Sequence, residues 1–195
     1  RIFERMGSYA TFRISETIRV LLFMTISILV FDFYPVTAVM IVLLALLNDF
    51  PIMMIADDNA DVAENPVRWN MGNTLTMASL LGAIGVVSSF TLLWVSEIWL
   101  HLPPEEVQTL VFLKLLVAGH LTIYLTRHKG FFWQKPYPSM KLFLATEITQ
   151  VIGTLAAVYG WFVPPIGWYH ALVVWGYALC WFVVAGCIKV WVYRL

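Results

Sequence analysis

Six apolar runs, each long enough to cross a bilayer, decide what this chain can fold into. They cover residues 14–31, 36–56, 74–96, 109–126, 140–163 and 168–193, separated by short polar segments. A transmembrane helix needs about 20 mostly apolar residues, and each run has roughly that length. In lipid every backbone N–H and C=O must be satisfied within the segment, so such runs become helices. Composition agrees, with 61% of the 195 residues hydrophobic and 12% charged, against about 45–50% and about 25% in soluble domains. The reading is an all-α, polytopic membrane protein with six transmembrane helices, multi-pass in the lipid bilayer. Residues 1–13 form a stalk that extends the first helix, and residues 14–195 form the six-helix domain.

Basic residues give the orientation. The first, third and fifth connections carry no Lys or Arg, whereas the N-terminal segment has Arg1, Arg5 and Arg13. The even connections hold Arg68, then Arg127, Lys129, Lys135 and Lys141, and Lys189 and Arg194 close the chain. All flanking positive charge lies on one side, which the positive-inside rule assigns to the cytoplasm, so both termini are expected there. Trp69, Trp99, Trp133, Trp168 and Trp191 sit near the expected interfaces, where amphipathic rings are favoured. The net charge is zero, which argues against a nucleic-acid partner.

A charge at bilayer depth is costly and needs a partner, a wet cavity or a task. The candidates are Glu16, Arg19, Asp49, Lys114, His120 and Glu147. At 1.5 Å per residue Arg19 lies roughly 8 Å and Asp49 roughly 10 Å inward from the basic side. His120 and Glu147 fall at similar depth, Glu16 about one turn shallower. Two pairings are open to Arg19: Asp49 on the antiparallel neighbour, or Glu16 three residues back. Lys114 lies nearer the other face and is expected to snorkel outward. Pro51 removes a helical hydrogen bond to the carbonyl of Leu47, so the second helix is expected to break around Asn48-Asp49. Broken helices at membrane depth expose backbone groups that can hold ions. A carboxylate removed from water holds a proton more readily, and a guanidinium brought close drives it off. That is the minimum chemistry of a proton carrier.

Several other chemistries find no motif. Asp57-Asp58-Asn59-Ala60-Asp61 opens like a calcium loop, but the required Gly falls on Val62 and the bidentate Glu on Arg68. No zinc spacing, paired haem ligands, phosphate-binding glycine loop or Ser-His-Asp arrangement is present, so neither a metal nor a catalytic residue is expected in this chain.

The same residues resemble a known family. Arg1-Ile2-Phe3-x-Arg5-Met6, Thr17-Ile18-Arg19 and Leu47-Asn48-Asp49 look like the C-terminal membrane half of the plasma-membrane proton pumps, the P-type ATPases of fungi, plants and some archaea and bacteria. Asp58-Asn59-Ala60 followed by Pro66-Val67-Arg68-Trp69-Asn70, and Leu125-Thr126-Arg127 followed by Phe132-Trp133, resemble the next two loops of the fungal pumps. The resemblance implies that these are the fifth to tenth helices of a ten-helix pump in the plasma membrane. It implies that Asp49 is the proton-binding carboxylate with Asn48 beside it, and that Arg19 controls proton release. Glu16, His120 and Glu147 would form a supporting polar layer. Three departures stand out: Pro51 where a small residue is usual, Glu16 as an added acid, and Lys114 in place of glutamine. The family's phosphorylation motif, Asp-Lys-Thr-Gly-Thr, is absent from the sequence. The chain begins without Met and is read as a piece of a longer protein. Its partners would be the proton and the N-terminal part of the pump, whose cytoplasmic domains would carry ATP and Mg. By itself the chain is expected to hydrolyse no ATP. The alternatives are the transport domain of a P-type pump for another cation, or a stand-alone six-helix scaffold or channel.

Overall fold

A computed structural model describes residues 2–59 and 71–194. Six helices fill them: α1 Ile2–Phe31, α2 Ala38–Met54, α3 Met71–Trp94, α4 Pro104–Thr126, α5 Met140–Tyr159 and α6 Gly167–Arg194. All six are long and apolar enough to cross a membrane, α2 together with the helical turn that continues it to Asp57. Arg1, Arg68 and Trp69, the calcium-loop positions 61–68 and the motif at 66–70 lie outside the described residues.

Local chemistry sets the helix ends. Thr37 Oγ1 accepts from the Met40 amide at 3.3 Å, and Ser139 Oγ from the Leu142 amide at 3.2 Å, so each fills an orphan donor at a helix start. α4 begins at Pro104 rather than at 109, because Pro at the first position and Glu105 and Glu106 after it suit a helix N-terminus. α5 stops at Tyr159 rather than at 163, because Gly160 takes a left-handed conformation with φ 80°. α3 continues from Trp94 into a wide turn over Val95–Trp99. α1 has 30 residues and is ~45 Å long, which exceeds the hydrocarbon thickness.

The second helix departs from expectation. α2 runs unbroken through Asn48, Asp49 and Pro51, and the reason lies in a neighbouring helix, described below. α4 is the central helix: Leu113, Leu115, Leu116 and Val117 are fully buried, as are Phe112 and Ile123. α1 packs chiefly on α3, and α5 on α2. Gly153 of α5 presents bare backbone to Leu116 and Leu47, so a side chain there would collide with both α4 and α2. Small residues of this kind let helices approach closely in lipid.

A buried polar clasp ties the helices together at one end. Arg127, at the end of α4, grips Asp58 beyond α2 through Nε to Oδ2 at 2.6 Å and Nη2 to Oδ1 at 3.2 Å. The Ser139 amide donates to the same Oδ1 at 2.9 Å, which brings in the start of α5. Arg5 of α1 donates to the carbonyls of Asp58 and Ala56 at 2.8 and 2.6 Å. Lys189 of α6, only 1% exposed, donates to the carbonyls of Leu125, His128 and Gly130. Its ammonium thus caps carbonyls at the C-terminal end of α4. Asp58, the second residue of the calcium-like run, is a clasp residue.

Candidate functional site

Arg19 lies in the interior of α1 with 2% of its surface exposed. Its aliphatic stem rests on the bare backbone of Gly85 in α3. Its Nη2 forms an ion pair with Glu16, one turn earlier on the same helix. Nη1 donates to Thr122 Oγ1 of α4 at 3.3 Å, and Asn48 Nδ2 of α2 donates to Glu16 Oε1 at 3.5 Å. A carboxylate, a guanidinium, an amide and a hydroxyl from three helices therefore meet at one depth. Of the two pairings open to Arg19, the structure has the one with Glu16.

Asn48 and Asp49 face different ways, since successive helical residues point about 100° apart. Asn48 turns inward and is buried, while Asp49 is exposed on the bundle's flank. There it lines a groove of about 580 Å³ between α1 and α2, together with Arg5, Tyr9, Arg13 and apolar residues such as Ile52 and Met53. Arg19 bonds no atom of Asp49.

Pro51 is accommodated from outside its own helix. The Leu47 carbonyl, which loses its helical donor to the proline, meets His120 Nε2 of α4 at 3.2 Å. Nε2 carries the proton in that contact, and Thr149 Oγ1 of α5 stands 3.4 Å from the same nitrogen. His120 is fully buried. It replaces the missing donor, which is why α2 does not break. His120→Phe should leave the carbonyl orphaned and cost about 1–3 kcal/mol, read as a lower thermal midpoint in detergent. His120→Gln, which can still donate, should recover most of that loss.

Lys114 also departs from expectation. It does not snorkel outward; it is fully buried, with Nζ donating to Ser88 Oγ and Ser89 Oγ at 2.6 Å each and to the Gly85 carbonyl at 3.4 Å. Depth counted along a helix does not say which way a side chain points, and Lys114 points at α3. Gly85 links Arg19 and Lys114, touching Arg19 with its backbone and Lys114 with its carbonyl. Glu147 of α5 accepts from the Tyr124 hydroxyl at 3.1 Å and stands apart from the Arg19 cluster. Thr122 and Ser89 carry no site signal in the sequence, and Ser88 reads there only as a small residue that lets helices approach; the adjacent serines in an apolar run are the one hint. Among the described residues no group of three His, Cys, Asp or Glu side chains converges as metal ligands.

Six apolar helices enclosing ionisable side chains define a polytopic membrane protein with a polar site inside the bilayer. Comparison with known proteins narrows the class. No protein-family model matches the chain. The chain is 50% identical over 97% of its length to a protein of Methanocaldococcus jannaschii named "Putative cation-transporting ATPase". It is 30% identical over 81% of its length to "Probable proton ATPase 1A" of Leishmania donovani, and 28% identical over 83% to "Plasma membrane ATPase 1" of Saccharomyces cerevisiae. The chain spans 24%, 19% and 18% of the lengths of these three relatives. It belongs, as a membrane portion, to the P-type ATPases.

Proposed function

We propose that this chain is the transport portion of a proton-translocating P-type ATPase of the plasma membrane, with Asp49 as the proton-binding carboxylate. The observation that carries the reading is the Arg19 guanidinium held inside the bundle by Glu16, with the amino group of Lys114 already donating to Ser88 and Ser89 beside it. A metal cation needs several converging oxygen ligands and is repelled by fixed positive charge. A proton needs one carboxylate and leaves it neutral. Asp49, open to the groove beside α1, can be reached by a proton, and Asn48 ties its helix to the Glu16–Arg19 pair. Arg19 supplies the charge that controls release. His120 and Glu147 support the layer by bracing α2 and α4.

In this reading both termini are cytoplasmic, which is supported by Arg5, Arg127, Lys141 and Lys189 gathering at one end of the bundle. The partner of this portion is the remainder of the pump, whose cytoplasmic domains bring ATP and Mg. Without them the chain hydrolyses no ATP. A second reading, transport of another cation, is favoured by the printed name of the Methanocaldococcus relative. The complete ATPase, sealed in vesicles in a medium whose only other monovalent cation is a bulky organic one, separates the two. ATP-driven acidification in that medium supports the proton; acidification that appears only on adding a metal cation supports the second reading.

A further inference from the structure

We infer that Glu16 is a positioning residue for transport: it parks the Arg19 guanidinium against α4 and keeps that charge away from the Asp49 carboxylate. The inference rests on the proposed function and adds to it a residue that regulates the carrier. Glu16 and Arg19 share α1 and sit on the bare backbone of Gly119, where an added Cβ would lie 3.2 Å from Arg19 Nη2 and 3.5 Å from both Glu16 oxygens. The bond that fixes the guanidinium is therefore the one to Glu16, made where α4 has been cleared to admit it. Its second bond, to Thr122, is long at 3.3 Å, and Arg19 Nε has no partner. Asn48, which reaches Glu16 from α2, has an unpartnered Oδ1. With one long bond to Thr122 and an unpartnered Nε, the guanidinium is held chiefly by one partner, and that partner is an acid.

Other charges are accounted for around both groups. α3 has no titratable residue. α4 brings Lys114, held by Ser88 and Ser89, and His120, held by the Leu47 carbonyl. α5 brings Lys141, paired with Asp57, and Glu147, bonded by Tyr124. In the groove Asp49 shares its surroundings with Arg5, Tyr9 and Arg13. None of the acids among these is bonded to Arg19, so loss of the Glu16 charge leaves the Arg19 guanidinium without an acid partner. An unpaired guanidinium favours the ionised form of a nearby carboxylate, and proton loading then needs a lower pH.

The test is the pH profile of ATP-driven proton uptake by the complete ATPase in sealed vesicles. Glu16→Gln should move the midpoint to lower pH by about one unit. The double variant Glu16→Gln with Arg19→Gln should transport more slowly but undo the downward shift of the midpoint, because no guanidinium remains to act on the carboxylate. Glu16→Asp retracts the carboxylate by one methylene and should shift the profile less, in the same direction, which keeps the test alive if Glu16→Gln fails to fold. Profiles of Glu16→Gln and Glu16→Asp that superimpose on the parent would overturn the inference, as would a double variant shifted as far as Glu16→Gln. Failure of the underlying reading looks different: Asp49→Asn would then transport normally.

Discussion

Replacing Arg127 by Met should leave much of the protein unable to hold its native helix packing. Arg127 spends its donors on the Asp58 carboxylate and on the carbonyls of Asn59 and Pro136, all at one end of the bundle. The two charged residues are 8% and 5% exposed, so the variant strands a buried carboxylate with the Ser139 amide as its remaining partner. Breaking one side of a buried ion pair costs about 3–5 kcal/mol, a large part of the stability of a typical domain. Asp58→Asn should cost less, because an amide oxygen still accepts from the guanidinium. Removing both charges together, Asp58→Asn with Arg127→Met, should destabilise by less than the Arg127 variant alone. Thermal unfolding in detergent, followed by helical circular dichroism, gives the order directly. Equal midpoints for the parent and the Arg127 variant would contradict the clasp.

Asp49→Asn has the opposite profile, with a large effect on transport and little on stability. Asp49 is exposed in the groove and bonds no described residue, so the substitution should change stability by no more than about 0.5 kcal/mol. The amide keeps the volume and the hydrogen-bonding edge but takes up no proton in the working pH range. Transport should fall to about 1% of the parental rate or less, equivalent to a barrier about 2.7 kcal/mol higher. Arg19→Ala is the poorer probe. It strands Glu16 and takes away the Thr122 contact, so its effect on transport is mixed with a loss of packing.

How much of this was legible in the sequence depends on whether a feature is local. The six spans are visible because each is a property of about 20 consecutive residues. The Glu16–Arg19 pair is legible only as one of two pairings, since residues three apart on a helix are neighbours but Asp49 on the next helix lies at similar depth. The fate of Pro51 was hidden: the carbonyl it frees is met by His120, far along the chain, and no local pattern says that α4 will bring a donor to that point. The burial of Lys114 is not legible because counting along a helix gives depth without direction, and its serine partners lie on α3. The neighbours Asn48 and Asp49 were read as one site, although the turn of the helix sends one inward and the other to the groove. The Asp58–Arg127 clasp joins residues 69 positions apart, a distance that motif reading cannot bridge.

The most direct test of the central claim measures phosphorylation and proton uptake together, on the complete ATPase and its Asp49→Asn variant in matched sealed vesicles. The proposed function predicts that both proteins form the phosphorylated intermediate from ATP, while the parental vesicles alone acidify. Acidification by the Asp49→Asn vesicles at the parental rate would contradict it, and would put the transported proton on a group other than Asp49.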